Sequence, residues 1–450
     1  MSKPMAVSLP LVLLILDYYP FGRFETEGVT RLLVEKIPFF VLIVISSIIT
    51  ILAQDVGGAL VAVEKIPLMT RVLVALRAYV FYLGKMIMPH NLAPYYPYPE
   101  NVSIFSSEFT GSLVIMSVVT AVALRSFRKN PFFCAAWFYY LFTLLPVIGI
   151  IKVGVFAAAD RYTYLPSLGP FLLSGVALGV LYETASNKYR IAIMAALLLS
   201  AGLLINKTID QTGLWRDSIT FWSYEIKLYP EGSPLPYYNR GSAYALSGNY
   251  AQAVNDLNKA IELDPGYAEA YTNRGIVYDK KGEYDRAIAE FSRAIALNPS
   301  DPVKYNNRGI VYNEKGEYDR AIADFNRAIS LNPSDPMNAK IFNNLGLIYL
   351  KLGRVKEAER EYKNALKENP SYIQARMNLG NLYYSRGLLD EAIKEYREAA
   401  RHRPDFADAH YNLGLAYRDK GLKDEARRAF ENVLKLNQDG VDARRALESL

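Results

Sequence analysis

The sequence predicts an all-α protein in which a multispanning transmembrane helical domain is followed by an α-solenoid of repeated helix pairs. Two observations support this prediction. Residues 1–206 contain several apolar runs that are long enough, or nearly long enough, to cross a bilayer. Residues 234–440 repeat one pattern six times at a spacing close to 34 residues, which is typical of stacked helical repeats.

The repeat is marked by a glycine that recurs at intervals of 34, 34, 37, 34 and 34 residues. An Asn lies two residues before each glycine, a Tyr three residues after it and an Ala twelve residues after it. In the tetratricopeptide repeat (TPR), which has this pattern, small residues let two helix backbones approach and aromatic residues fill the gaps. The glycines are Gly241, Gly275, Gly309, Gly346, Gly380 and Gly414.

The periodicity sets the predicted boundaries of the second half. Residues 207–233 are expected to be a linker with a degenerate capping half-repeat, and residues 441–450 a C-terminal capping helix. The aromatic residues Trp215, Phe221 and Trp222 would either cap the inner end of the array or dock on the membrane surface. The six repeats are 234–267, 268–301, 302–335, 339–372, 373–406 and 407–440.

Residues 1–206 are predicted to form the transmembrane domain, with about six membrane helices and one re-entrant or interfacial helix at 68–88. The segment 68–88 carries Arg77 and Lys85, and each charge costs about 2.5–3.5 kcal/mol at bilayer depth. We therefore expect it to pack in protein or to lie at the interface. The six apolar segments are 5–19, 37–53, 112–124, 132–149, 168–182 and 191–205.

The charge distribution predicts an orientation. Residues 1–206 hold 15 Lys and Arg against 10 Asp and Glu, whereas residues 207–450 hold 36 against 35. The basic excess thus belongs to the apolar half, and nucleic-acid binding is not indicated. The basic loops 20–36, 125–130 and 183–190 fall on one side, which the positive-inside rule makes cytoplasmic. The repeats are then expected on the periplasmic side of the cytoplasmic membrane.

Chemical motifs are scarce. Cys134 is the only cysteine, so no disulfide can form within the chain, and the three His residues do not cluster as metal ligands. The repeats contain no nucleophile–base pair and no glycine-rich phosphate loop. Protein binding by the repeats, with no catalytic residue, metal or cofactor of their own, is therefore the predicted function of that half.

The asparagine of each repeat is the candidate binding residue. It falls where the first helix faces the concave surface of a TPR array, and an amide there can bond the backbone of an extended peptide. The alternative is that these amides bond neighbouring helices. The residues are Asn239, Asn273, Asn307, Asn344, Asn378 and Asn412.

A clamp for acidic peptide ends is not favoured. Such a clamp needs Lys or Arg at neighbouring groove positions of successive repeats. Those positions hold residues of both charges: Lys280, Glu314, Lys351, Ser385 and Asp419.

Two outward loops of the membrane half carry basic residues beside aromatic ones. The first contains Lys85 and the run 94–99, and the second contains Arg161 within 159–169. A guanidinium can hold the phosphate of a lipid carrier in a bidentate manner. Alternatively, Arg161 pairs with Asp160 or a lipid headgroup, and the aromatic residues belt the interface.

The order of these pieces resembles the transmembrane and tetratricopeptide-repeat (TMTC) O-mannosyltransferases and their bacterial relatives. The similar segments cover nearly the whole chain and end with the repeats that follow the last membrane helix. In the membrane half they are Ser2–Val7 with Asp17–Pro20, Glu35–Phe39, Tyr82–Lys85, Tyr96–Pro97 and Asp160–Gly169.

This resemblance implies a membrane half of the GT-C type, which transfers a sugar from a polyprenyl-phosphate lipid to a protein hydroxyl. In that family the catalytic acidic residue lies upstream of the segment that begins here at Met1. We therefore expect the chain to correspond to the C-terminal portion and to have no catalytic residue of its own; Asp160 does not match the family's position. Arg161 would contact the carrier phosphate, with Lys85 a weaker candidate.

Three functions remain open. The first is a membrane-anchored TPR protein that presents a peptide-binding superhelix outside the cytoplasm and recruits substrates for protein O-glycosylation or envelope assembly. The second is part of a lipid-linked-sugar transferase that is active only with a separately encoded N-terminal half. The third is an anchored scaffold unrelated to sugars. The expected partners are proteins or peptides and membrane lipids.

Overall fold

The computed structural model describes residues 7–56, 67–93, 95–99, 102–149, 156–437 and 441–450. The chain divides into two compact units, Met1–Ala243 and Tyr244–Leu450. Each unit is described by itself below.

The N-terminal unit is built almost entirely from helices. Its helices are α1 (Leu9–Tyr18), α2 (Arg23–Thr26), α3 (Val29–Val56), α4 (Leu68–Ile87), α5 (Ser107–Arg125), α6 (Pro131–Leu144), α7 (Leu168–Thr184), α8 (Asn187–Gly213), α9 (Ser218–Leu228) and α10 (Pro234–Leu246), the last of which crosses the boundary between the units. Short 3-10 helices occupy Leu145–Val147 and Asp160–Thr163.

Among the described residues, three helices are long and apolar enough to cross a membrane: Val29–Leu52 within α3, α5 and α8. Three shorter apolar helices accompany them, at Leu9–Tyr18, Pro131–Val147 and Leu168–Thr184. In α8 none of the most apolar window is buried, so its side chains cover no protein surface.

Helix α3 begins eight residues before the predicted apolar segment 37–53, at Val29. The helical turns that precede this segment carry the charged residues Glu35 and Lys36, and both side chains form ion pairs. The Lys36 ammonium lies 2.7 Å from the Asp17 carboxylate, and Arg23 bridges Asp17 and Glu35 at 2.7 and 2.9 Å. Asp17 and Lys36 are each only 4% exposed, and a buried pair of this kind persists only when each charge has a partner.

Helix α4 corresponds to the charged segment 68–88. One face is buried and contains Val74, Ala78 and Tyr82, while Arg77 pairs with Glu108 of α5 at 2.9 Å. The Tyr79 hydroxyl donates to the carbonyl of Leu141 in α6 at 2.9 Å. Helix α4 is thus packed against protein along one face.

A two-stranded antiparallel ribbon was not predicted from the sequence. Strand β1 (Tyr96–Pro97) pairs with β2 (Phe156–Ala158), with Tyr96 opposite Ala158. The proline-rich run around β1 gives little strand signal, because proline has no N–H and is tolerated only at sheet edges. The ribbon joins the loop between α4 and α5 to the loop between α6 and α7.

The C-terminal unit is a solenoid of paired antiparallel helices. Each pair comprises a first and a second helix of nearly equal length. The helices are α11 (Tyr250–Leu263), α12 (Ala268–Lys280), α13 (Tyr284–Leu297), α14 (Pro302–Lys315), α15 (Tyr318–Leu331), α16 (Asn338–Lys351), α17 (Val355–Glu368), α18 (Ile373–Ser385), α19 (Leu389–His402), α20 (Ala407–Asp419), α21 (Lys423–Leu436) and α22 (Val441–Glu448).

In repeats two to six, the repeated glycine and the aromatic residue sixteen positions later form the contact inside each pair. A β-carbon added at Gly346 would lie 2.5 Å from the ring of Tyr362, and one added at Gly380 would lie 2.6 Å from the ring of Tyr396. Phe291, Phe325 and Phe430 take the same place in the other pairs. Only glycine lets the two helices approach this closely, which explains the periodicity found in the sequence.

A second glycine position closes the turn between the two helices of each pair. Gly316 has φ +80°, in the left-handed region, and it ends α14 at its C-cap. Side chains with a β-carbon rarely adopt this conformation, so glycine is favoured. The equivalent residues are Gly248, Gly282, Gly353, Gly387 and Gly421, all with positive φ.

Candidate functional site

The first helices of the solenoid present one comparable stripe of side chains in repeats two to six. Its members recur at helical spacings of three, six and seven residues from the asparagine, so they lie on one helix face. We call it the first-helix stripe: Asn273, Ile276, Asp279 and Lys280; Asn307, Ile310, Asn313 and Glu314; Asn344, Leu347, Leu350 and Lys351; Asn378, Asn381, Tyr384 and Ser385; Asn412, Leu415, Arg418 and Asp419.

The stripes of neighbouring repeats contact each other directly. Asn412 donates from Nδ2 to Asn381 Oδ1 at 3.1 Å, and the Tyr384 hydroxyl donates to the Asp419 carboxylate. The Asp279 and Glu314 carboxyl groups of repeats two and three lie close enough to interact electrostatically. These contacts make one surface from residues that lie 31 to 35 positions apart in the sequence.

All six asparagines of the predicted groove are half-buried, including Asn239 on α10. Asn378 donates to Asn343 Oδ1 of the preceding repeat at 2.8 Å, as Asn412 does to Asn381. At these two positions the amide bonds a neighbouring first helix, which was the alternative left open by the sequence.

Asp279 and Asn313 are functional candidates that the sequence pattern did not single out. They occupy equivalent positions in repeats two and three, and the Oδ1 atom of each is buried without a hydrogen-bond partner. Partial burial and the neighbouring Asp279 carboxylate raise the pKa of Glu314, while Lys280 opposes the rise. The only sequence signal was the polar residue recurring six positions after the asparagine.

The arginine that precedes the glycine in the first three repeats has an internal role. Arg308 forms two hydrogen bonds with the Asp324 carboxylate, at 2.7 and 2.8 Å, and one with Ser292 at 2.9 Å. Arg274 contacts Glu290 at 2.7 Å in the same way. These arginines tie each first helix to the second helices on both sides, so they hold the array together and do not form part of the binding surface.

In the N-terminal unit, the loop between α4 and α5 and the loop between α6 and α7 converge on a second polar cluster. The Tyr96 hydroxyl donates to the Asp160 carboxylate at 2.9 Å, and Tyr82 accepts from the Ala159 N–H at 2.9 Å. Burial raises the pKa of Asp160, although the hydrogen bond from Tyr96 opposes this rise. A cavity of about 220 Å³ adjoins the cluster and is lined by Arg77, Phe81, Tyr96 and Tyr229 among others.

Helix α9 docks on these loops. The rings of Trp222 and Tyr95 stack with centroids 5.8 Å apart, and Tyr229 meets Tyr96 edge-on at 6.1 Å. Glu225 of α9 is only 2% exposed, and its Oε2 has no hydrogen-bond partner. Burial, followed by the charge of Asp160, raises its pKa from 4.5 to about 8. The sequence had left open whether the tryptophans cap the inner end of the array or dock on the membrane surface; Trp222 contacts Tyr95, in the loop between α4 and α5.

Of the two predicted lipid-phosphate residues, Lys85 lies beside this cluster. The Lys85 ammonium donates to the carbonyls of His90 and Asn91, at 2.6 and 3.2 Å, and lies 5.4 Å from the ring of Tyr96. Arg161 belongs to the 3-10 helix Asp160–Thr163, but its side chain lies outside what the structure describes, as do residues 1–6 of the Ser2–Val7 motif. Among the described residues there is no group of three metal-ligating side chains.

Comparison with family models identifies the repeats. The tetratricopeptide repeat model matches residues 268–301, 302–335, 339–372 and 407–439, and a second TPR repeat model matches 241–282 and 380–421. The C-terminal unit is a TPR solenoid.

Two protein O-mannosyl-transferases are similar to short segments of this chain. A protein O-mannosyl-transferase of Caenorhabditis elegans is 25% identical over 158 residues, which are 35% of this chain and 22% of the relative. Tmtc2 of Drosophila melanogaster, also a protein O-mannosyl-transferase, is 29% identical over 125 residues, 28% of this chain and 13% of the relative. The matched segments span less than a quarter of either relative's length.

Solved TPR structures are also similar to parts of the chain. YrrB, described as a TPR protein with an unusual peptide-binding site, is 28% identical with a TM-score of 0.36 and covers 43% of this chain and 98% of its own. PilF of Pseudomonas aeruginosa is 22% identical with a TM-score of 0.42 and covers 48% and 97%.

Proposed function

We propose that this protein is a membrane-anchored TPR scaffold that presents a protein-binding surface on the extracytoplasmic side of the cytoplasmic membrane. There it recruits or positions substrates for protein O-glycosylation or envelope assembly. The repeats supply the binding surface, and the apolar helices of the N-terminal unit supply the anchor.

The observation that carries this proposal is the first-helix stripe. It brings side chains from five successive repeats together on one surface. Repeat arrays use such extended surfaces to bind segments of other proteins. The asparagine amides of the stripe offer both donors and acceptors to a main chain, whose polar groups recur regardless of sequence.

Two further observations support the anchor and its orientation. The side chains of α8 are exposed along the helix, including Leu198 at 70% and Leu199 at 67%. Exposure of that extent in water would be strongly unfavourable, so we propose a lipid environment. The basic loops at 125–130 and 183–190 follow α5 and α7, and the positive-inside rule places both loops in the cytoplasm.

The link to glycosylation comes from the O-mannosyl-transferase relatives. A second candidate function follows from them: the chain contributes to a transferase that uses a polyprenyl-phosphate-linked sugar, with a separately encoded polypeptide that supplies the catalytic acid. In that case the cluster of Lys85, Tyr96 and Asp160, with Arg161 beside it, is the proposed site for the carrier phosphate.

Labelling of single cysteines tests the orientation. In a Cys134→Ser background, Asp319→Cys places a thiol on the exposed surface of α15, and Lys129→Cys places one in the loop after α5. A membrane-impermeant maleimide added to intact spheroplasts should label the first variant and not the second. Both should be labelled after lysis. Protection of the cysteine at position 319 until lysis would refute the extracytoplasmic placement.

A further inference from the structure

Helix α9 is held against the loop between α4 and α5 by aromatic contacts. Trp222 stacks on Tyr95 with ring centroids 5.8 Å apart, and Tyr229, the C-cap of α9, meets Tyr96 edge-on at 6.1 Å. Leu228 packs beside Tyr229 against the buried core of the N-terminal unit. Each such contact contributes modestly, so one unfavourable charge in the interface can offset them.

Glu225 lies in this interface, where there is little room for a charge. The residue is 2% exposed, and its Oε2 atom has no hydrogen-bond partner. It lines a cavity of about 20 Å³ with Tyr229 and Ser233 among others. Such a space holds about one water molecule, so an ionised carboxylate would not be hydrated there. Because an unpaired buried charge is strongly unfavourable, Glu225 is neutral while α9 is docked.

The ionisable groups around Glu225 do not compensate a charge on it. Asp160 acts on Glu225 with a charge of the same sign, which opposes ionisation. Burial raises the pKa of Tyr224 and, to about 12, that of Tyr229, so both stay neutral at physiological pH. The basic groups of the neighbouring elements act elsewhere: Lys85 on Asp160, Arg77 on Glu108 and Arg240 on Ser223.

Docking of α9 also completes the larger cavity of about 220 Å³ in this unit. Tyr229 forms one wall, and Phe81, Arg77 and Tyr96 lie among the others. Ala78 lines the same cavity and is only 5% exposed. Because Tyr229 is the C-cap of α9, a helix that left the loop would take this wall with it.

We propose that α9 is a lid on this cavity and that protonation of Glu225 keeps the lid closed. With the proton in place, α9 lies against the loop and Tyr229 walls the cavity. When the proton is released to solvent, the Glu225 carboxylate moves into water, α9 leaves the loop and the cavity opens. This conformational change is independent of what the repeats bind.

The pH dependence of the lid has a definite sign. Burial, and then the charge of Asp160, raises the pKa of Glu225 from 4.5 to about 8 in the docked helix. The docked state therefore binds the proton more tightly, and the resulting stabilisation is complete below pH 4.5 and is lost as the pH rises through 8. Because one proton is released on opening, the docking equilibrium constant falls about tenfold for each pH unit between these values.

Labelling of single cysteines in the full chain in nanodiscs measures the opening. In a Cys134→Ser background, Leu228→Cys reports on α9 and Ala78→Cys reports on the cavity. Each rate with N-ethylmaleimide is divided by the rate of Asp319→Cys, an exposed position, at the same pH, which removes the pH dependence of the thiol reaction. Both ratios should rise about tenfold per pH unit between about pH 5.5 and 7.5.

Substitution of Glu225 identifies the titrating group. Glu225→Gln keeps the shape of the side chain without its charge, so both ratios should stay at the low wild-type value across the pH range. Glu225→Met has no polar atom that needs a partner and should behave in the same way. Glu231→Gln should keep the wild-type dependence. Met116→Cys, buried in α5, should stay unreactive throughout, because the rest of the unit remains folded.

The outcomes distinguish a lid from other pH effects. Wild-type ratios that do not change with pH, or a pH dependence that survives in both Glu225 variants, would overturn the inference. So would opening at position 228 without opening at position 78, since α9 would then move without uncovering the cavity. Reactivity of Met116→Cys at high pH would indicate unfolding of the whole unit and contradict a local movement. None of these results bears on protein binding by the repeats, so the proposed function would stand.

Discussion

The two units of the chain differ in how far they bury their apolar side chains. In the C-terminal unit the large residues are inserted between helices, and Phe325, Tyr362 and Phe430 are fully buried. In the N-terminal unit the long apolar helix α8 buries no residue. The surroundings of glycine residues differ in the same way. Gly346 lies against the ring of Tyr362, whereas nothing lies within 4 Å of a β-carbon added at Gly202 in α8.

Apolar side chains are therefore accommodated by different means in the two units. The solenoid satisfies its apolar groups internally, through contacts between successive helix pairs. The long apolar helices of the N-terminal unit leave most of theirs exposed, so their sequence is constrained by composition more than by packing. Substitutions should therefore change the stability of the solenoid strongly and that of the long N-terminal helices weakly.

The largest effect is expected when the internal ion pair of repeat three is broken. Arg308→Leu leaves the Asp324 carboxylate buried without a cation, and such losses cost about 3 kcal/mol of unfolding free energy. Thermal unfolding of the full chain, followed by circular dichroism, measures this loss. The double variant Arg308→Leu with Asp324→Ala reproduces the residues of repeat six, Leu413 and Ala429, and should recover most of the stability. An Arg308→Leu variant as stable as the wild type would mean that the pair is not structural.

An intermediate effect is expected from adding one methyl group to a packed glycine. Gly346→Ala places a β-carbon 2.5 Å from the Tyr362 ring and should destabilise the solenoid by about 2 kcal/mol. Gly202→Ala in α8 meets no atom and should leave stability unchanged or raise it slightly. Melting temperatures of the two variants compare the units directly. Equal sensitivity at both positions would contradict the division drawn above.

The third expected effect depends on pH and arises at Glu225, a carboxyl group that is buried where α9 packs in the N-terminal unit. The pKa of Glu225 is about 8 when α9 is docked, against 4.5 for a glutamate exposed to water. Between these two pH values the docked state holds a proton that the undocked state releases. Docking is therefore fully favoured below pH 4.5 and weakens as the pH rises through 8. Trp222 fluorescence should change across that range in the wild type.

Glu225→Gln is the control for this prediction, since glutamine is close in shape and does not titrate. Its Trp222 signal should stay constant from pH 5 to pH 9, apart from changes common to both proteins. Glu231→Gln alters a carboxylate three residues beyond the end of α9 and should leave the wild-type profile in place. A Glu225→Gln variant with the same pH profile as the wild type would assign the change to another group, with Asp160 next to be tested.

Several features of the site could be anticipated from the sequence because they repeat. The Gly–aromatic contact and the asparagine row recur with the period, and periodicity places equivalent residues in equivalent environments. The arginine before the glycine also repeats, yet its role could not be predicted. Its partners Asp324 and Ser292 lie on two different second helices, and only the packing of neighbouring pairs brings them together.

By itself, the amino-acid sequence determined the helical repeat, its phase and the separation of an apolar half from a soluble one, because all three depend on periodicity and composition along the chain. Tertiary structure alone decided that Asp279 and Asn313 have buried acceptors without partners and that Glu225 lies beside Asp160. Burial and electrostatic proximity depend on contacts between segments distant in sequence, and a local pattern does not encode them.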